Sequence, residues 1–308
     1  MDFSNEIKKL KKEKNCVILA HFYQTADIQD IADFIGDSLQ LSQIAMETDA
    51  DIILFCGVNF MAETAKILSP HKKVLLPEPN AGCSLADSCS AADLKEFLNN
   101  YPDHTVVSYV NTSVGVKALT DICCTSSNAV DIIKNLPENE KIVFLPDRNL
   151  GAYIKSVTGR DDMIVWDGAC HVHEEFSVES IIELKKKYPN AKVLAHPECK
   201  KTVLILADKI GSTSALLEFS KKSECKEFII ATESGILHQM QLSSPEKTFI
   251  PVPPVDSTCG CSDCRFMKMV TIEKVYNTLK YETPEIIIDF ELIEKAKKSI
   301  IRMLELSK

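Results

Sequence analysis

"NCVILAHFYQT", residues 15–25, is a short apolar run that ends in a polar cluster, and the chain repeats the pattern twice. Its counterparts are "HTVVSYVNTS" at 104–113 and "AKVLAHPECK" at 191–200. Each is rich in Val, Ile or Leu and has the length of a strand buried on both faces of a parallel sheet. His21, Tyr109 and His196 are separated by 88 and then 87 residues. Tyr23, Asn111 and Glu198 keep these offsets, as do Ser38, Ser126 and Thr213.

Two more sets of apolar runs follow in the same rhythm. "DIILFCG", "KIVFLPD" and "EFIIATE" form one set; "KKVLLPEP", "DMIVWDG" and "KTFIPVPP" form the other. Helical patterns such as "NFMAETAKIL" connect them. The spacing predicts an α/β protein of three pseudo-equivalent domains around an approximate threefold axis, each a small parallel sheet with helices. The expected domains are residues 1–85, 86–172 and 173–269, with the helical tail 270–308 packed on the first. Ligands of such sheets bind beyond the carboxyl ends of the strands, so three strand ends are expected to share one site.

Composition narrows the function. A net charge of −9 argues against nucleic acid or an anionic membrane surface as partner, but small anionic substrates stay compatible with local dipoles. With no apolar signal core and no run of transmembrane length, a cytoplasmic protein is expected. Twelve cysteines in a reducing compartment point to metal ligands rather than disulfides. Cys16, Cys56, Cys123 and Cys225 lie in or beside apolar runs and read as small hydrophobes.

The remaining cysteines follow the repeat. Cys83 in "PNAGCSLAD" and Cys170 in "DGACHVHEEF" are 87 residues apart, and a further 87 residues reach the triplet of "DSTCGCSDCRFMKM". One thiolate per domain predicts a cluster on three cysteines, with one iron of a [4Fe–4S] cluster left open. Structural zinc is the competing reading. The hydroxyls of Ser38, Ser126 and Thr213 each precede a helical pattern, as N-caps or as part of an anion site at three helix N-termini. His173, three residues after Cys170, is expected near the cluster; alternation along the segment points His171 elsewhere. No glycine-rich nucleotide fingerprint occurs, so no bound dinucleotide is expected.

These motifs resemble the quinolinate synthase family, A type, over nearly the whole chain. The resemblance rests on "AHFYQ", "YVNTS" with "TDICCTSSNAV", "GACHVHEEF", "AHPEC", "GSTSAL" and "CSDCRFMKM" with "TIEKV". It implies a [4Fe–4S] cluster on Cys83, Cys170 and Cys264, although "CGCSDC" and Arg265 depart from the family's spacing, so Cys259 and Cys261 stay alternatives. It implies substrate contacts at His21, Ser38, Tyr109, Val110, Asn111, Ser126, His196, Pro197, Glu198 and Thr213, with Tyr23 and His173 in the same cavity. The implied reaction condenses iminoaspartate with dihydroxyacetone phosphate to quinolinate, in NAD biosynthesis, with the enzyme supplying iminoaspartate as a partner. Glu198 is expected to be the general base, assisted by His196 and Tyr23, with its pKa raised toward neutrality beside anionic substrate. Another cluster-dependent hydro-lyase and an iron–sulfur carrier or sensor are the competing functions; the carrier requires a fourth protein ligand.

Overall fold

The computed structural model describes residues 2–255 and 262–307. Twelve strands form three four-stranded, wholly parallel sheets. The first contains β1 (Cys16–His21), β2 (Phe34–Gly36), β3 (Ile52–Cys56) and β4 (Lys73–Leu75) in the order β2-β1-β3-β4. β5 (Thr105–Tyr109), β6 (Ile122–Cys124), β7 (Ile142–Leu145) and β8 (Ile164–Val165) repeat it as β6-β5-β7-β8. β9 (Lys192–Ala195), β10 (Lys209–Ile210), β11 (Glu227–Ala231) and β12 (Thr248–Pro251) repeat it again as β10-β9-β11-β12.

Each sheet thus has one strand more than the apolar runs predict. The extra strands β2, β6 and β10 are three, three and two residues long, too short to carry a periodicity. A side chain marks each of them instead. Asp33, Asp121 and Asp208 accept the N–H groups of Ile18, Val106 and Val193 at 2.8, 2.8 and 2.7 Å, tying the short strand to its neighbour. A second device recurs at the C-terminus of the helix that follows. Lys72 donates to Thr48 O at 2.6 Å, Arg160 to Leu136 O at 2.7 Å and Lys247 to Ser223 O at 2.8 Å. These carbonyls belong to the residues closing the helices Ser38–Glu47, Ala129–Asn135 and Thr213–Lys222. A cation there satisfies orphan carbonyls and meets the negative end of the helix dipole.

The three units share their cores. Leu19, Phe55 and Met61 pack in one apolar cluster with Val107, Ile132 and Phe144. Phe22, just beyond β1, packs instead with Leu216, Phe228 and Ile236 of the third unit, a burial that contributes about 2 kcal/mol. The tail reaches two units. Helix Ile272–Tyr281 packs on the N-terminal helix Phe3–Glu13, whereas helix Phe290–Leu306 lies against helix Asn59–Leu68 of the first unit and β6 and helix Val114–Lys117 of the second. Its apolar face (Ile293, Ala296, Ile300, Met303) completes the core shared by the first two units, and Ser299 donates to Lys117 O at 3.0 Å. No described helix is long and apolar enough to cross a membrane.

Gly235 marks the closest approach of the third unit to the first. A Cβ built there lies 2.7 Å from Tyr23 Cα and 2.8 Å from Phe22 O, both backbone atoms that cannot rotate away. Gly235→Ala should therefore cost about 1–3 kcal/mol of stability, read as a lowered melting temperature. An unchanged melting temperature would show that the two units part easily.

Candidate active site where the three sheets converge

The carboxyl ends of β1, β5 and β9 open into one cavity of about 710 Å³, lined by all three units. His21, Tyr23, Ser38, Tyr109, Asn111, Ser126, His173, His196, Glu198 and Thr213 line it, together with Cys83, Cys170 and Cys264. Val110 and Pro197 do not. Val110 borders a smaller adjoining space beside Ser38 while its N–H donates to Cys124 O at 2.8 Å; Pro197 is buried in the turn after β9. Cys259 and Cys261 lie outside the described residues.

The same turn follows β1 and β9. Tyr23 N donates to His21 Nδ1 at 3.2 Å, and Glu198 N donates to His196 Nδ1 at 3.4 Å. A ring whose Nδ1 accepts carries its proton on Nε2, so both imidazoles present an N–H toward the cavity. His196 donates from there to Ser126 Oγ at 3.1 Å. Burial pushes both histidines down to about 3, so they are neutral donors at pH 7.

Glu198 is buried with Oε2 at 2.7 Å from His173 Nδ1 and 3.8 Å from His196 Nδ1. Its Oε1 is equally buried and has no hydrogen-bond partner. Burial by itself would raise this carboxyl, but the imidazoles of His173 and then His196 overcome it and hold the group well below the usual carboxylate range. His173 and Glu198 are 25 residues apart in sequence, and nothing in the repeat places them in contact.

From His173 a chain of hydroxyls leads on. Its Nε2 lies 3.0 Å from Thr232 Oγ1, which lies 2.8 Å from Tyr23 OH, and Thr213 Oγ1 donates to the same phenol at 3.3 Å. Burial, then the charge of Glu198, pushes the Tyr23 and Tyr109 phenols up. Thr232 and Glu233, which carry no separate signal in the sequence, end the run "EFIIATE" just beyond β11; only their place at a strand end hinted at them. Glu233 Oε1 pairs with Lys268 Nζ at 2.8 Å and accepts the N–H of Cys264 at 3.1 Å. Burial pushes Glu233 up to about 7, against the pull of that lysine.

The helix-start hydroxyls are not caps. The caps are Asp37, one residue before Ser38, and Ser212, one before Thr213, while Ser126 sits in the turn before helix Ala129–Asn135. Asp37 does more than cap. Its Oδ1 accepts from Leu39 N and Gln40 N, and its Oδ2 accepts from Ser127 Oγ at 2.8 Å and Ser214 Oγ at 2.7 Å. One carboxylate therefore joins all three units, and it leaves Ser38, Ser126 and Thr213 facing the cavity.

Cys83 and Cys170 each immediately precede a one-turn helix, Ser84–Asp87 and His171–Glu174; Cys264 precedes the 3₁₀ turn Met267–Met269. Backbone N–H groups of Ala86 and Leu85, of His173, and of Met267 and Phe266 favour the thiolate at the three sulfurs. Burial outweighs them and raises all three thiols, Cys83 to about 12. Three thiols on one cavity, each with backbone N–H groups turned to its sulfur, suit a thiolate-bound metal group. Among the described residues these are the three cysteines that line the cavity, and all ten described cysteines are free thiols. His171 also lines it, held by Ser84 Oγ at 2.8 Å on Nδ1. It sits on a helical turn, so the alternation that would have pointed it away does not apply.

Comparison with known proteins agrees with this geometry. The family model described as "Quinolinate synthetase A protein" matches residues 5–305. A protein of Microcystis aeruginosa named quinolinate synthase is 57% identical over 306 residues, 99% of this chain and 95% of the relative. Those of Synechocystis sp. and Chloroherpeton thalassium, with the same name, are 56% and 54% identical, covering 99% and 100% of this chain and 96% and 95% of theirs.

Two neutral buried histidines make stability depend on pH. Their folded pKa of about 3 lies below the unfolded value near 6.5, so the unfolded state binds more protons between these limits. The stability they permit is complete above about pH 6.5 and falls progressively on acidification, by up to roughly 1.4 kcal/mol per pH unit for each ring. Denaturant unfolding of wild type and His21→Gln across pH 5–7 should give slopes differing by about one proton. Equal slopes would mean that His21 is already solvated in the folded chain.

Proposed function

The chain belongs to the quinolinate synthase family, and on that premise we propose that it condenses iminoaspartate with dihydroxyacetone phosphate to quinolinate, releasing phosphate and two waters. The product enters NAD biosynthesis, and an iminoaspartate-forming enzyme is the expected partner. The reading is carried by the meeting of Cys83, Cys170 and Cys264 with Glu198 in one cavity. In this reading the units 1–85, 86–172 and 173–269 each contribute one cysteine to a [4Fe–4S] cluster. When bound, the cluster supplies Lewis acidity from an iron that lacks a cysteine ligand.

The chain's own residues do the rest. Both substrates are anionic, so they are received by donors: Nε2–H of His21 and His196, the hydroxyls of Ser38, Ser126 and Thr213, and the helix N-termini behind them. Asn111 Oδ1, buried without a partner, is free to accept from the substrate's nitrogen. Glu198 is the general base. Its hydrogen bond from His173 keeps it ionised and fixes Oε2, leaving the unpartnered Oε1 to take a proton from carbon beside a carbonyl. Glu198 returns the proton it took to a departing oxygen, which Tyr23 and His196 orient by hydrogen bonds, and cavity walls such as Phe60 and Met61 exclude water. A cytoplasmic setting suits a chain of free thiols.

Protein purified without oxygen should be brown, carry about four irons per chain and form quinolinate. Cys83→Ala, Cys170→Ala and Cys264→Ala should each strip the iron, while Cys259→Ala and Cys261→Ala keep it; iron lost from Cys261→Ala and retained in Cys264→Ala would move the ligand. Glu198→Gln should keep fold and iron but lose roughly 10²-fold or more in turnover. Near-normal turnover with intact iron would remove Glu198 from the chemistry.

A further inference from the structure

We propose that Cys170 Sγ, His173 Nδ1 and a carboxylate oxygen of Glu198 form a mononuclear site for a thiophilic divalent metal ion such as Zn²⁺ in chains that lack the cluster. The three ligand atoms lie within 4.8 Å of one another. His173 Nδ1 is 3.2 Å from Cys170 Sγ and 2.7 Å from Glu198 Oε2. A tetrahedral ion, with metal–nitrogen and metal–oxygen bonds of about 2.0 Å and a metal–sulfur bond of about 2.3 Å, spaces its donors by about 3.3–3.5 Å. His173 Nδ1 and Cys170 Sγ already have nearly that spacing, Nδ1 and Glu198 Oε2 must open by about 0.6 Å, and all three donors lie within 4.8 Å of one another. One thiolate, one imidazole and one carboxylate are three protein ligands of the kinds zinc takes, with the fourth position left to water.

Two further features point to a cation here. Glu198 is 3% exposed, and its Oε1 is buried with nothing to bond. Around the site, Thr232 Oγ1 lies 3.0 Å from His173 Nε2 and is itself held by Tyr23 OH at 2.8 Å. That arrangement fixes the ring with Nδ1 turned to the metal, as an outer hydrogen bond does in other histidine sites. Binding would release the Cys170 thiol proton to solvent and move the His173 ring proton from Nδ1 to Nε2, where it is donated to Thr232 Oγ1. Cys83 and Cys264 take no part.

Cys170 cannot serve two metals. Zinc binds such donors more tightly than ferrous iron, so a zinc-loaded chain would lose a cluster ligand and its general base together. This competition rests on the functional reading above; the site itself does not.

The test uses the full chain freed of iron, with Co²⁺ as the optical probe. Titration should give a thiolate-to-cobalt charge-transfer band that saturates at one ion per chain. His173→Gln and Glu198→Gln should each weaken binding by about 100-fold or more, and Cys83→Ala and Cys264→Ala should leave it at the wild-type value. Thr232→Val keeps every ligand and should weaken binding about tenfold, so it carries the test if His173→Gln does not fold. Binding unchanged by His173→Gln and Glu198→Gln but lost with Cys83→Ala or Cys264→Ala would overturn the site and give the ion to the three cysteines. In a second arm, one equivalent of Zn²⁺ added before iron and sulfide should block cluster assembly in wild type and fail to block it in His173→Gln. A cobalt site that passes the first arm, with no zinc block in the second, would refute the competition and Cys170's place in the cluster, while the site stands.

Discussion

The architecture turns on the carboxylate of Asp37. It accepts two backbone N–H groups of its own helix and one serine hydroxyl from each of the other two units. A carboxylate that accepts from several donors holds those donors in place. Three separate sheets with short strands could settle against one another in several ways. A buried carboxylate with four fixed partners has one arrangement in which all four bonds form, and that arrangement points Ser38, Ser126 and Thr213 into a common space. Removing it would leave a helix start uncapped and break the hydroxyl contacts to both other units.

The cavity divides its labour by charge. Histidines that end strands are desolvated and neutral, so they donate without adding charge. The one carboxylate among the equivalent strand-end positions is held ionised by the imidazole stacked beside His196. Lys268 meets Glu233 at the edge of the same space, and that pair holds both the N–H of Cys264 and the carbonyl of Tyr23. The turn that carries Cys264 and the chain that carries Tyr23 are thus positioned by one ion pair. Each group's state follows from its immediate neighbours, not from the net charge of −9.

Much of this was written in the chain because the repeat is internal. A chain that uses one unit three times supplies its own comparison, and offsets of 88 and 87 residues pick out strand ends, helix starts and cysteines together. The same offsets also carry Asp33, Asp121 and Asp208, and Lys72, Arg160 and Lys247, which escaped notice because each sits in a loop without a periodic pattern.

What the sequence determined by itself was whatever recurs: three parallel α/β units, their strand-end polar residues and one cysteine in each of the first two, with a triplet in the third. Tertiary structure decided what occurs once. The contact of His173 with Glu198 helps to hold that carboxyl low against the effect of burial, and no spacing rule brings residues 173 and 198 together. Thr232 enters the site through a turn of chain after β11, and the last helix lies where its apolar face completes the core shared by the first two units. Periodicity along a chain reports which face of an element is apolar; it does not report which other face will meet it.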